Sequence, residues 1–151
     1  MKKLLLSIAL LAIPAMAQDF VAAGASFNGT TVTPFGAYGH ALGNGVYIVS
    51  GVQVTQIRLK PQITFQTVAT QDIGYDFSTL LPANLQARVR LIGIGGAGAS
   101  ASSTSLTGAF DGGGVAVFTF KHFNVDVGAK VIKTAQAGIQ TLPMIAISAH
   151  L

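Results

Sequence analysis

Two features of this sequence could carry chemistry. The first is a glycine run, Gly93-x-Gly95-x-x-Gly98, which follows an apolar stretch and precedes Asp111 by eighteen residues, close to the spacing of a dinucleotide-binding turn. That chemistry needs a helix whose N-terminus faces a pyrophosphate and packs on a parallel sheet. The residues that follow, "ASSTSLTG", are poor helix formers without an apolar stripe, so the run is read as a glycine-rich strand end and loop. The second feature is the set of three histidines, His40, His122 and His150. No Cys or Glu stands near any of them to complete a metal site or a charge relay. No catalytic, cofactor-binding or metal-ligating residue is therefore expected, and the histidines are read as interfacial or lumenal polar groups.

The elements that must carry these residues have a period of two. In 45–57, Val46, Ile48, Val52 and Val54 share a face interrupted by Ser50, and Tyr47, Gly51, Gln53 and Thr55 share the other with Val49. The segment 124–133 sets Val125, Val127, Ala129 and Val131 against Asn124, Asp126, Gly128 and Lys130. Leu85, Ala87, Val89 and Leu91 stand against Gln86, Arg88 and Arg90, and Ile63, Phe65 and Ala69 against Gln62, Thr64 and Gln66. Turn residues such as Asn28-Gly29, Gly43-Asn44-Gly45 and Pro61 divide the chain into strands at 19–27, 31–42, 45–57, 62–73, 84–95, 114–122, 124–134 and 140–151. The glycine-, alanine- and serine-rich stretch 96–113 is expected to be a long loop, with 105–110 able to extend a strand.

The first residues read as an export leader. Lys2 and Lys3 precede an apolar run over 4–13, and Ala15-Met16-Ala17 is a small-x-small cleavage pattern. The apolar run is half the roughly 20 residues a spanning helix needs. Residues 1–17 are thus expected to be a signal peptide, and 18–151, starting at Gln18, one β-barrel domain.

Composition decides which way the two-faced strands turn. Half of the chain is hydrophobic and 9% is charged, against about 25% for a soluble domain. Without Lys2 and Lys3 the formal charge of +4 falls to +2, too little to argue for nucleic acid. A soluble barrel hides its apolar face and charges the other. Here the second face carries Gly, Gln, Thr and Ser, as lumenal positions of a membrane barrel do. Gly24, Gly36, Gly51 and Gly128 fit a narrow lumen, and Phe20, Phe27, Phe35, Tyr47, Phe77 and Phe123, near strand ends, fit aromatic girdles. The fold class is all-β, an eight-stranded antiparallel up-and-down transmembrane barrel. The alternative is a secreted soluble β-barrel or β-sandwich that binds a ligand.

In this pattern the sequence resembles the small outer-membrane barrels such as the transmembrane domain of outer-membrane protein A and outer-membrane protein X. Its end, "LPMIAISAHL", alternates as their last strand does but closes on Leu151 instead of an aromatic. The resemblance implies an outer-membrane location with both termini in the periplasm and contact with lipid. It also implies delivery by periplasmic chaperones and the barrel-assembly machinery, and a monomer with a structural, envelope or narrow porin-like role. Some such barrels are lipid-modifying enzymes with Ser and His near the outer rim. Ser148 and His150 fall at the opposite end without an acid nearby in sequence, so no catalysis is expected. Asp72, Arg88, Arg90, Asp126 and Lys130 are placed on the inner face as a lumenal polar network, with Asp72 meeting Arg88 and Asp126 meeting Lys130.

Overall fold

The computed structural model describes residues 19–29, 31–59 and 62–151. The leader assigned to 1–17 and its cleavage before Gln18 lie outside them. Eight strands follow in order: β1 (Phe20–Asn28), β2 (Thr31–Gly43), β3 (Val46–Leu59), β4 (Gln62–Asp76), β5 (Val89–Ala101), β6 (Leu106–Thr119), β7 (Asn124–Thr134) and β8 (Gly138–His150). Each pairs antiparallel with the next, and β1 pairs β8 from Phe20↔His150 to Ser26↔Met144, which closes the barrel. The start of β1 and the end of β8 therefore lie at one end, here called the terminal end. The all-antiparallel eight-strand barrel expected from the period of two is the observed fold.

Two boundaries differ from the sequence reading, for physical reasons. The segment 96–113 is not a loop: β5 runs through Gly96 to Ala101, β6 starts at Leu106, and only 102–105 turn between them. Gly and Ala carry too little side chain to show a two-faced pattern, yet their backbone pairs fully, from Gly96↔Asp111 to Ala101↔Leu106. Conversely, 84–88 is not strand. Its alternation belongs to a connection at 77–88 that holds a 3-10 turn, Ser78–Leu80, and a short helix α1, Ala83–Gln86. This connection is the longest in the barrel and lies at the terminal end. Those at the far end have four residues at most. Asn44 and Gly45, both at positive φ, make the tight β2–β3 turn that the Gly43-Asn44-Gly45 sequence asks for.

The wall is turned inside out relative to a soluble protein. Among the described residues, eleven of the twenty-one buried side chains are polar, whereas Ile73, Phe65 and Ile147 point outward and are 60% exposed or more. The inward phase runs through Tyr47, Val49 and Gln53 on β3 and through Gln66, Val68, Thr70 and Asp72 on β4. This phase corrects part of the expected girdle. Phe20, Phe35 and Tyr47 share register with inward residues and line the lumen, while Phe27, Phe77 and Phe123 face out. Gly36 is paired with Val52 on the outer face rather than the inner.

The seam is reinforced at the terminal end. Asp19 accepts hydrogen bonds from Tyr38 Oη and from His40 Nδ1, each at 2.5 Å, and its carbonyl accepts from the backbone N–H of Leu151 at 2.9 Å. The Tyr38 hydroxyl and then His40 hold the Asp19 carboxyl below its ordinary value of 3.8. A depressed carboxylate stabilises the fold above its unfolded value and stops doing so as pH falls through the folded one. Asp19→Asn should therefore lower the denaturant midpoint at neutral pH, and the difference from the wild type should shrink as pH is taken below 3.8.

Candidate functional site

The lumen is layered. At its middle, Lys130 on β7 reaches across to β4 and β6. Its Nζ donates to Asp72 Oδ2 at 3.0 Å and to Thr70 Oγ1 at 3.3 Å, and it pairs with Asp111. The side chains are 13%, 1% and 0% exposed for Lys130, Asp72 and Asp111, so all three charges are removed from bulk water. Small residues make room for them. A Cβ on Gly96, which is paired with Asp72, would overlap the Asp72 carboxylate, and one on Gly51 would stand 4.0 Å from the ammonium. The glycine run that imitates a nucleotide turn is thus a strand thinned to admit a buried acid.

Toward the far end, Val68, Ala109, Ile132 and Leu142 form a tight apolar layer. Beside it, where Gln53 pairs with Val68, Gln53 Nε2 donates to Ser26 Oγ at 2.5 Å and Ser26 meets Thr33 at 2.8 Å. Gln66 donates to Ser100 and to Gln136 from the β7–β8 turn, the latter at 3.1 Å. Toward the terminal end, Tyr47, Val49, Ile92 and Val117 make a second apolar layer with Phe20, Ile94 and Val115 beside it. Below that layer stand the polar groups of the mouth. Arg90 donates to Tyr47 Oη at 3.1 Å with its guanidinium carbon 5.9 Å from the ring centroid. Ser148 Oγ donates to Asp126 Oδ1 at 3.0 Å and accepts from Asn124 Nδ2 at 3.3 Å.

Of the five residues expected in a lumenal network, the structure brings two into one ion pair, Asp72 and Lys130. The Arg88–Asp72 pair is not formed: β5 begins at Val89, so Arg88 stays on the exposed 77–88 connection. Asp126 does not meet Lys130 but takes the Ser148 hydroxyl, and Arg90 takes Tyr47. Asp111 was missed because 96–113 read as a loop; had β6 been extended back to Leu106, its odd residues would have placed Asp111 inward with Ala109. An acid does approach Ser148 in space, but the serine donates to it directly, with no histidine between them. Among the described residues no group of three His, Cys, Asp or Glu could hold a metal ion.

Outward apolar side chains, a buried polar lumen and a closed antiparallel ladder define a small membrane-type barrel. No protein-family model and no curated protein matches the sequence. Solved structures do share the fold. The N-terminal β-barrel domain of Pseudomonas aeruginosa OprF superposes with TM-score 0.64 at 12% identity, covering 89% of this chain and 97% of that one. Neisserial surface protein A gives 0.62 at 10% identity, covering 89% and 96%. The Yersinia pestis outer-membrane protein Ail in a phospholipid nanodisc gives 0.61 at 13%, covering 89% and 99%. The chain thus has the eight-stranded fold of small outer-membrane barrels.

Removing one member of a buried charge cluster costs more than the cluster itself contributes, because the remaining charge stays buried and unpaired. Lys130→Met should lower the unfolding free energy by about 3–5 kcal/mol, read from urea titration in lipid vesicles. Adding Asp72→Asn and Asp111→Asn to that variant should recover part of the loss, since two buried carboxylates then no longer face each other without a cation.

Proposed function

We propose that this chain is an outer-membrane barrel with a plugged lumen, serving the envelope structurally and without catalysis. The observation that carries this reading is the sidedness of the wall: large apolar side chains outward, hydrogen-bonded polar side chains inward. In water that surface would expose apolar area with almost no charge to solubilise it; in a bilayer the outer face meets hydrocarbon and closure leaves no strand edge unpaired. The terminal end faces the periplasm, residues 1–17 direct export, and periplasmic chaperones and the barrel-assembly machinery deliver a monomer to the membrane. The far-end connections are too short to present an adhesive surface, which favours an envelope role over surface recognition. A narrow porin-like role is opposed by the Lys130 brace and by the Val68–Leu142 layer above it.

Two measurements test this. In cell fractions the protein should remain with the outer membrane after salt washing and run faster unheated than boiled on a denaturing gel. In planar bilayers it should give no steady large conductance. Such a conductance would replace the plugged barrel with a pore, and a detergent-free soluble monomer in the periplasm would favour the secreted ligand-binding alternative.

A further inference from the structure

The lumen is not filled evenly. A cavity of about 90 Å³ extends from Asn124 and His150 at the terminal mouth past the apolar layer to Asp72 and Lys130, and on to Ser26 and Gln53. Its lining is mostly apolar, with Val49, Ile92, Ile94, Val115 and Val117 among it, so it suits an alkyl chain. Val68 and Ile132 of the far-end apolar layer also line it, and farther on the Gln66–Ser100 and Gln66–Gln136 hydrogen bonds cross the lumen.

The mouth has one unusual charge. The described ion pairs in the barrel join Lys130 to Asp72 and Asp111, and His40 to Asp19. Among the described residues Arg90 makes no such pair within 4 Å; Asp126, across Val117 in the ladder, is close enough for the two charges to act on each other, and the guanidinium is held against the Tyr47 ring and hydroxyl at the edge of the apolar layer. An arginine oriented this way, at the boundary between an apolar tube and water, offers a planar fork of donors to a carboxylate. Asp126 stands at the same mouth with its charge partly met by the Ser148 hydroxyl. A dianionic head would be repelled there more than a monoanionic one.

We propose that the terminal half of the lumen is a binding site for a single-chain monocarboxylate, a fatty acid in its simplest form. Its tail lies in the layer formed by Val49, Ile92 and Val117, and its carboxylate sits on Arg90. Lys130 and Asp72 bound the site on its far side, the ammonium held by the carboxylates of both Asp72 and Asp111. Entry from the periplasm rests on the orientation proposed above; the binding itself does not.

The test uses the protein in phospholipid nanodiscs, with carboxyl-labelled decanoate observed by NMR and protein-free nanodiscs as the measure of partition into lipid. The wild type should show a saturable bound carboxyl resonance absent from the protein-free discs. Val117→Trp, which fills the tube, should abolish it, and Val49→Phe, a second filling variant, should do the same if the first fails to fold by the gel-mobility test. Arg90→Gln should weaken binding by about tenfold or more, while decanol, which lacks the charge, should bind both forms alike. A resonance equally strong in the filled variants, or none in the wild type, overturns the site. Binding unchanged in Arg90→Gln overturns the head-group assignment. A protein that stays in the outer membrane but binds no decanoate loses this site alone, whereas a soluble protein that binds it loses only the membrane reading.

Discussion

Closure of the backbone ladder is the constraint on which everything else in this barrel depends. Each strand pairs on both sides, and the β1–β8 seam removes the last free edge, so hydrogen-bonding groups of the wall are used within the wall. Once that is done, the outer surface needs no polarity, and the side chains there can be Val, Ile, Phe, Gly and Ala. The polar residues that the chain does possess are left for the inside, where an eight-strand lumen is only about side-chain wide and every polar group must find a partner across it. The layered lumen is the result, with amide and hydroxyl pairs near the far end, a lysine between two aspartates at the middle, and Arg90 with Asp126 at the mouth.

The glycines follow from the same constraint. Gly98 and Gly128 face so close to neighbouring backbone that a Cβ would overlap it, at 1.9 Å from Ala69 O and 2.2 Å from Gly114 O. Gly96 yields its side-chain space to the Asp72 carboxylate. The chain is rich in glycine because a narrow barrel that buries charge has to be thin-walled where the charge sits, and the β5–β6 hairpin is where that thinning is concentrated.

Much of this was legible in the sequence wherever side chains are large enough to report which way they face. β3, β4, β7 and β8 alternate Val, Ile or Phe with Gln, Thr or Asp, and their inner and outer faces follow directly. β5 and β6 do not, since "GIGGAGASA" has little contrast between its faces, so paired strand looked like loop and Asp111 was lost with it. At 84–88 the opposite error occurs: Leu85, Ala87 and Val89 keep the alternation going through a turn, which carried Arg88 into a lumen it never enters. Pairings between charges failed for a further reason. They depend on the relative height of strands distant in sequence, and an offset of one strand start is enough to exchange Arg88 for Lys130 as the partner of Asp72.

The central claim is that the outer wall between the girdles lies in hydrocarbon. The chain has no tryptophan, so a single one introduced at a chosen site reports that site alone. Ile73→Trp and Ile145→Trp, on the outer faces of β4 and β8, should be quenched strongly by lipids brominated along their acyl chains and emit as indoles in an apolar medium. Leu85→Trp, on the 77–88 connection, should be quenched little. Emission characteristic of water from Ile73→Trp and Ile145→Trp, with no quenching by brominated acyl chains at either, would contradict the account.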